Sequence, residues 1–215
     1  MRCITERVQA ILVGSGWHPS LFRIEMEILC KVKPFRFGTR VVLVNSDSDL
    51  IKPLENSATL DECLSPFGLT SDFSNIEAII EGWINDNNLS FKKGKSIAVR
   101  WIRIEGGISK LNGKKLAMFC GEILSKKGWK IDLESPDAEL VFVLDGISEH
   151  IFWGKRAIPK HPRDGWIKRA ATERPFFKPI SLDPRLARVA LNLVIKDSKE
   201  IICDPMCGTG GVILE

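Results

Sequence analysis

Apolar positions along the chain change repeatedly between the two-residue period of a strand and the longer period of a helix. Residues 8–13 and 39–46 have strand-like spacing, and residues 18–31 lie between them with helical spacing. The predicted inner face of that helix carries Leu21, Ile24, Ile28 and Leu29. Proline and glycine interrupt the following segment, residues 50–69, so we predict irregular structure there.

A second helix is predicted in residues 74–88, because Ser74 and Glu77 have the spacing of a capping box. Its apolar stripe consists of Ile76, Ile79, Ile80, Trp83 and Ile84. Residues 96–105 alternate as in a strand, and residues 111–128 have a helical pattern that Gly128 ends. Two further strands are predicted in residues 129–133 and 138–146, on either side of Pro136.

The last part of the chain begins with residues 157–180, whose four prolines and weak periodicity predict a linker between two domains. Residues 183–196 predict a helix, and its predicted core-facing residues are Leu186, Val189, Ala190 and Leu193. A strand is expected in residues 200–204. Helices and strands thus alternate, which indicates an α+β or α/β fold rather than a helical bundle or an all-β sandwich.

Composition is typical of a folded globular protein, with 44% hydrophobic and 27% charged residues. No apolar run approaches the roughly 18 residues that cross a bilayer, so we expect no membrane contact and a cytoplasmic location. The 6 cysteines are scattered without a CxxC pair, so we predict reduced thiols and no metal site.

The net charge of +4 conceals basic and acidic blocks that alternate. Residues 91–130 hold 11 lysines and arginines against 2 acids, and residues 151–180 hold 8 against 2, whereas residues 41–90 and 131–150 are acidic. Interleaved with these basic blocks are four aromatic residues, Trp101, Trp129, Trp153 and Trp166. This pattern favours a polyanionic partner such as RNA, and a solvated basic face is the alternative for either block alone.

Ten basic residues are candidates for an RNA-binding surface. The first block contributes Arg100, Arg103, Lys110, Lys114 and Lys115. The second block contributes Arg156, Lys160, Arg163, Lys168 and Arg169. For any single lysine, an ordinary solvated side chain is an equally good interpretation.

A glycine-rich turn follows the last predicted strand. An apolar strand that leads into Asp204 and then into three glycines is the arrangement with which doubly wound sheets bind nucleotide-like ligands. Glycines let the backbone approach a ligand closely, and Asp204 can meet a hydroxyl or cationic group. No lysine follows the glycines, which disfavours a phosphate-binding P-loop, and a tight turn without a ligand is the alternative.

The sequence of residues 204–211 resembles the AdoMet-binding motif I of class I RNA and DNA amino-methyltransferases. The resemblance implies that a Rossmann-like domain begins here and that S-adenosyl-L-methionine (AdoMet) contacts Asp204, Pro205, Cys207, Gly208, Thr209, Gly210 and Gly211. Residues 174–188 are similar to the entry of the same domain, in which a phenylalanine and a proline close the methionine side of the pocket. The resemblance therefore implies that role for Phe177 and Pro179.

Residues 130–140 resemble the strand-turn-strand signature of a THUMP domain, in which Pro136 and Asp137 shape the turn. The order of parts is similar to the tRNA (guanine-N2) methyltransferases that modify guanine 10. This resemblance implies a ferredoxin-like region in residues 1–70, a THUMP-like RNA-binding domain in 71–156, a linker in 157–180 and the start of the methyltransferase domain in 181–215. It also implies tRNA as a partner and, as in some family members, a small activating protein subunit.

The chain departs from that family because it contains no Asp/Asn-Pro-Pro-aromatic sequence, the motif that holds the target amino group. We therefore assign no catalytic residue. The expectation is an enzyme by family whose isolated 215 residues lack turnover and bind AdoMet weakly or not at all. A stand-alone THUMP-type RNA-binding protein without catalysis is the alternative, and a tRNA thiolation enzyme is disfavoured because no SGGxDS-like ATP loop occurs.

Overall fold

The computed structural model describes residues 8–46, 49–87, 95–159, 163–175, 181–195 and 199–215. The strands in these ranges are β1 (Val8–Gly14), β2 (Phe35–Arg36), β3 (Val41–Ser46), β4 (Leu60–Thr70), β5 (Ser96–Ile104), β6 (Lys130–Ile131), β7 (Ala138–Asp145) and β8 (His150–Arg156). The helices are α1 (Pro19–Cys30), α2 (Ile51–Leu54), α3 (Ile76–Asp86), α4 (Gly113–Lys126), α5 (Arg163–Arg169) and α6 (Pro184–Val194). None of the described helices is long and apolar enough to cross a membrane.

All eight strands join one sheet in the order β2-β3-β1-β4-β8-β7-β5-β6. The pairs are antiparallel except around β5, which runs parallel to both β6 and β7. Strand β4 pairs with β8, so the sheet continues from the first half of the chain into the second. The prediction of a mixed α/β fold is thereby confirmed, while the domain boundaries stay predictions.

Helices cover one face of this sheet in two groups. Leu12 of β1 packs in one apolar cluster with Phe22 and Met26 of α1, and α6 lies against the same helix. Phe142 of β7 and Trp153 of β8 belong to a second cluster, which α3 and α4 cover. Successive residues of β1 and β7 alternate between this face and the opposite face of the sheet.

The opposite face of the sheet is buried because the sheet curls. Ile11 of β1, Val143 of β7 and Phe152 of β8 are fully buried there, in a cluster that contains no residue of a described helix. Phe37, which follows β2, contacts Phe152 with ring centroids 5.0 Å apart, although three strands separate β2 from β8. Since neighbouring strands lie about 4.8 Å apart, only a strongly curved sheet allows this contact.

Helix α1 buries a different face from the predicted one. Its buried residues are Phe22, Glu25, Met26 and Cys30, whereas Ile24 is 48% exposed. The prediction was wrong because the acidic residue Glu25 lies on the buried side of the helix, where the sequence pattern predicts an apolar residue.

Helix α6 differs from its prediction in the same way. It buries Val189 as predicted, together with Ala187, Leu191 and Asn192, but it exposes the predicted core residues Leu186 and Ala190. A buried polar residue, Asn192, again lies where the pattern calls for an apolar one. Helix α3 does bury Ile76, Ile80 and Ile84 as expected, but Ile79 is 37% exposed.

The capping box predicted at the start of α3 was wrong. Asn75 precedes the helix and makes no side-chain capping hydrogen bond. The Ser74 hydroxyl instead donates to Asp72, at 2.7 Å. The reason is that the helix begins one residue later than the capping box requires, so Asn75 and not Ser74 occupies the N-cap position.

Strand β4 corrects the prediction of irregular structure in residues 50–69. Pro66 and Gly68 interrupt the sequence pattern, but a register shift between Leu64 and Phe67 accommodates them. A Cβ atom on Gly68 would lie 2.4 Å from the Trp153 ring, so the glycine makes room for this tryptophan. Strand β8 was not predicted, and the strand expected in residues 129–133 is limited to β6.

Residues 200–204 form no strand, contrary to the prediction, and Ile201 is 98% exposed. A strand needs a neighbour for its backbone hydrogen bonds, and no described segment pairs with these residues.

Replacing either of two glycines with alanine should change the stability of the fold, in opposite directions. A Cβ atom on Gly146 would lie 2.2 Å from the backbone oxygen of Glu105, so Gly146→Ala is expected to destabilise the fold by about 3 kcal/mol. Gly82 lies inside α3 with nothing within 4 Å of such an atom, so Gly82→Ala is expected to stabilise it by about 0.5–1 kcal/mol. Urea unfolding of both variants measures these changes, and shifts of the same sign would contradict the prediction.

Candidate functional site

The turn at residues 204–211 is shaped by short-range hydrogen bonds and by glycine. Asp204 accepts from the backbone N–H of Met206 at 3.0 Å, and the N–H of Gly210 donates to Cys207 at 2.8 Å. Gly208 and Gly210 have φ angles of 54° and 75°, in the left-handed region that favours glycine. Three of the eight residues of the turn, Gly208, Gly210 and Gly211, carry no side chain, which leaves the backbone there open to close approach.

The other predicted cofactor residues divide into two groups. Thr209 lies 3.3 Å from the hydroxyl of Ser181, and Gly211 is buried, whereas Pro205 and Cys207 are exposed. Phe177 and Pro179 lie outside the described residues.

A group of arginines lies beside this turn. The Nη1 atom of Arg174 lies 3.5 Å from the position that a Cβ atom on Gly211 would take. Arg169 donates from Nε to Glu215 at 2.7 Å, and the Nε of Arg188 lies 3.9 Å from the same carboxylate. Both terminal nitrogens of Arg174 are buried and make no hydrogen bond in the structure. An orphaned guanidinium next to a glycine turn is chemically suited to a ligand that carries a carboxylate.

The first basic block is partly gathered at the start of α4. Gly113 packs against Trp101, and the Arg103 guanidinium lies over the same ring at 5.3 Å from its centroid. Lys114 and Lys115 are exposed in the first turn of the helix. Lys110 is also exposed and precedes that helix. Aromatic surface and unpaired cations thus occur together here, as in many RNA-binding surfaces.

Two of the predicted RNA-binding arginines belong to a ladder of ion pairs across the sheet. Arg156 on β8 makes two hydrogen bonds to Glu62 on β4, of 2.8 and 2.9 Å, and contacts Glu139 on β7. Arg100 on β5 lies 3.0 Å from Glu139. The Arg156 side chain is only 13% exposed. This geometry gives Arg156 a structural role, while Arg100 is 37% exposed and retains a solvent-facing side.

The second basic block is less completely described. Lys160 lies outside the described residues, and of Arg163 only the backbone in α5 is described. Lys168 is exposed. Arg169 is paired with Glu215 and stacks over Trp166 at 4.6 Å from the ring centroid.

Asp137 ties β7 to β5. Its carboxylate accepts from the backbone N–H of Ser96 at 2.8 Å and from the Ser96 hydroxyl at 3.2 Å. These hydrogen bonds lower the pKa of Asp137. The turn that the sequence assigned to Pro136 and Asp137 therefore also fixes the pairing of two parallel strands.

The cysteines offer no reactive thiol in the core. Burial raises the pKa of Cys30, Cys63 and Cys120 to about 12, so these thiols stay protonated at neutral pH. Cys203 and Cys207 are exposed and unpaired, and Cys3 lies outside the described part of the chain.

A polar junction between α1 and α6 was missed by the sequence analysis. Glu25 is fully buried and accepts from Asn192 at 2.7 Å and from the Ser57 hydroxyl at 2.7 Å. Arg185 lies over Trp17 at 4.7 Å from the ring centroid and donates to the backbone oxygen of Ala58. No sequence signal could have found this junction, because Glu25 and Asn192 are 167 positions apart.

Comparison with known proteins identifies relatives of this chain. Residues 171–215 match the family model of the RMKL-like methyltransferase domain. A tRNA (guanine(10)-N2)-dimethyltransferase of Pyrococcus abyssi is 34% identical over 102 residues, which are 47% of this chain and 29% of that protein. The enzyme of the same name from Methanothermobacter thermautotrophicus is 32% identical over 122 residues, 56% of this chain and 34% of that protein. The chain thus spans about a third of these relatives, and its resemblance to tRNA (guanine-N2) methyltransferases is confirmed.

Solved structures support the fold. TrmN from Thermus thermophilus has a TM-score of 0.58 at 17% identity, and the match covers 87% of this chain and 54% of that one. A second solved chain, SMU.472 complexed with SAH, has a TM-score of 0.51 at 12% identity over 96% of this chain and 54% of its own. At these identities the likeness concerns the fold alone.

Proposed function

We propose that this chain is the RNA-binding and cofactor-entry part of an enzyme that methylates the exocyclic N2 of a tRNA guanine, at position 10. The observation that carries this proposal is the 34% identity to an enzyme of that name. The match of residues 171–215 to a methyltransferase domain family supports it independently, since this segment contains the whole glycine turn.

AdoMet would be held at the turn formed by residues 204–211. The cofactor supplies an activated methyl group on a sulfonium. Asp204 would accept from a hydroxyl of the ligand, and the backbone at Gly208 and Gly210 would pack against it. We assign no catalytic residue, because the 215 residues contain no Asp/Asn-Pro-Pro-aromatic sequence.

We further propose that tRNA binds along the start of α4 within a THUMP-like region at residues 71–156, next to a ferredoxin-like region at residues 1–70. Arg103, Lys114 and Lys115 would contact phosphates, and the 39% exposed Trp101 would stack on a base or sugar. Arg100 and Lys110 belong to the same basic block and extend this surface, and Lys168 on α5 would contact the RNA separately. Arg156 is left out because its guanidinium is bound to two carboxylates.

Binding of a tRNA transcript is expected to weaken steeply with salt, because the lysines and arginines release counterions from the RNA. With about five to seven phosphate contacts, log K should fall against log salt with a slope of about −3.5 to −5. Charge reversal of Arg103 and Lys114 to glutamate should weaken binding at least about tenfold and reduce the slope by about 1.4. Fluorescence anisotropy over a salt series measures both quantities.

The matched control is charge reversal of Lys33 and Lys52, two exposed lysines of the N-terminal part that change the net charge equally. Equal weakening by both pairs would contradict the proposed surface. Methyl transfer by the gene product that contains these residues, assayed on tRNA with guanine or adenine at position 10, tests the enzymatic part. A stand-alone RNA-binding protein would bind tRNA and transfer no methyl group.

A further inference from the structure

Arg174 is held in place by its backbone and by one side-chain nitrogen. Its backbone N–H donates to Ala171 at 3.2 Å, and its Nε donates to the backbone oxygen of Arg169 at 2.9 Å. The two terminal nitrogens, Nη1 and Nη2, are buried and have no hydrogen-bond partner in the structure. The guanidinium of Arg174 is thus fixed in position, and its two terminal nitrogens are buried and available to donate hydrogen bonds.

These buried nitrogens destabilise the fold unless a further group binds there and accepts their hydrogen bonds. A buried donor that lacks an acceptor costs about 1–3 kcal/mol, and more when it is charged. The carboxylate in this group of arginines, Glu215, is already engaged by Arg169 at 2.7 Å and approached by Arg188 at 3.9 Å. Arg169 and Arg188 therefore share this carboxylate, and Arg174 has no ion pair among the described residues, so its positive charge favours an anionic ligand.

The free donors lie next to the glycine turn. Nη1 would be 3.5 Å from a Cβ atom on Gly211, so the absence of that side chain leaves the approach open. A guanidinium presents parallel N–H groups that match the two oxygens of a carboxylate. The one carboxylate of AdoMet is at the end of its methionine part.

We propose that Arg174 binds the methionine carboxylate of AdoMet through Nη1 and Nη2. This inference rests on the proposed function, because it requires AdoMet at residues 204–211. A phosphate of bound RNA offers the same kind of acceptor, but a phosphate in a continuous strand reaches exposed cations more readily than these buried nitrogens. Arg174 therefore fixes the end of the cofactor and, through it, the position of the methyl group.

The test compares two ligands on the full chain. S-adenosylhomocysteine carries the amino-acid carboxylate, and methylthioadenosine keeps the adenosine and the thioether but lacks the amino acid. Arg174→Gln is expected to weaken the binding of S-adenosylhomocysteine about 10- to 100-fold and to leave the binding of methylthioadenosine unchanged. Arg174→Lys should recover part of the loss, since a single ammonium cannot form the paired hydrogen bonds. Ligand-observed NMR titration detects weak as well as tight binding.

Lys52→Gln is the control, because this lysine is exposed and lies outside both proposed binding surfaces. An equal loss for both ligands would show that Arg174 only supports the fold, and an unchanged affinity for S-adenosylhomocysteine would also overturn the inference. A loss of tRNA affinity without a loss of S-adenosylhomocysteine affinity would assign Arg174 to RNA phosphate instead. If the wild-type chain binds neither ligand, this inference fails, whereas the proposed function is tested separately by methyl transfer with the gene product that contains these residues.

Discussion

Replacing Glu25 with alanine is expected to lower the free energy of unfolding by about 3–5 kcal/mol. The carboxylate is fully buried and accepts from the backbone N–H groups of Ala58 and Thr59, at 3.1 and 3.2 Å. The hydroxyls of Ser57 and Thr59 and the amide of Asn192 also donate to it. Alanine would leave all five donors buried without this acceptor.

Urea unfolding followed by tryptophan fluorescence measures this effect. Glu27→Ala is the matched control, because Glu27 lies on the exposed side of the same helix and its loss should change stability by no more than about 0.5 kcal/mol. Glu25→Gln should have an intermediate effect, since the amide keeps one acceptor oxygen but directs its own N–H groups at other donors. Equal stability of the two alanine variants would show that the carboxylate contributes nothing to the fold.

The second large effect is expected from Arg156→Met, which should destabilise the fold by about 3–5 kcal/mol. Arg156 is the partner of Glu62, whose side chain is only 1% exposed, and it also contacts Glu139. Methionine would leave the Glu62 carboxylate buried next to an apolar side chain. Removing one partner of a buried ion pair costs more than the intact pair contributes.

A double variant tests this explanation. Arg156→Met combined with Glu62→Leu removes both charges, so most of the lost stability should return. Lys155→Met is the control, because Lys155 is the exposed neighbour on the same strand. If the double variant is no more stable than Arg156→Met, the loss comes from packing and not from the buried carboxylate.

Local signals in the sequence predicted those elements that depend on neighbouring residues. Helix α4 ends before Gly128 as expected. Strands β5 and β7 lie where segments rich in apolar, β-forming residues predicted them. The failures have long-range causes. Glu25 looks like a surface residue of α1 until the groups that donate to it, 32 and more positions away, are known. The bulge in β4 depends on pairing with β8 and on the ring of Trp153.

The candidate site was predictable to a similar degree. The glycine turn is visible in the sequence because its residues are contiguous and their backbone angles require glycine. Whether an arginine faces solvent or forms an ion pair cannot be read from the sequence, because it depends on distant partners. Arg156 and Glu62 are 94 positions apart, and this pairing decides that a cation predicted to face RNA is built into the sheet.

The two ends of the sheet bear on how copies of the protein meet in solution. Strands β2 and β6 are two residues each, so the end strands offer few free backbone donors and acceptors to a strand of another molecule. Arg36 and Lys130 add like charges at those ends, which repel a second copy. An eight-stranded sheet with end strands of this kind resists fibre-like growth by edge addition.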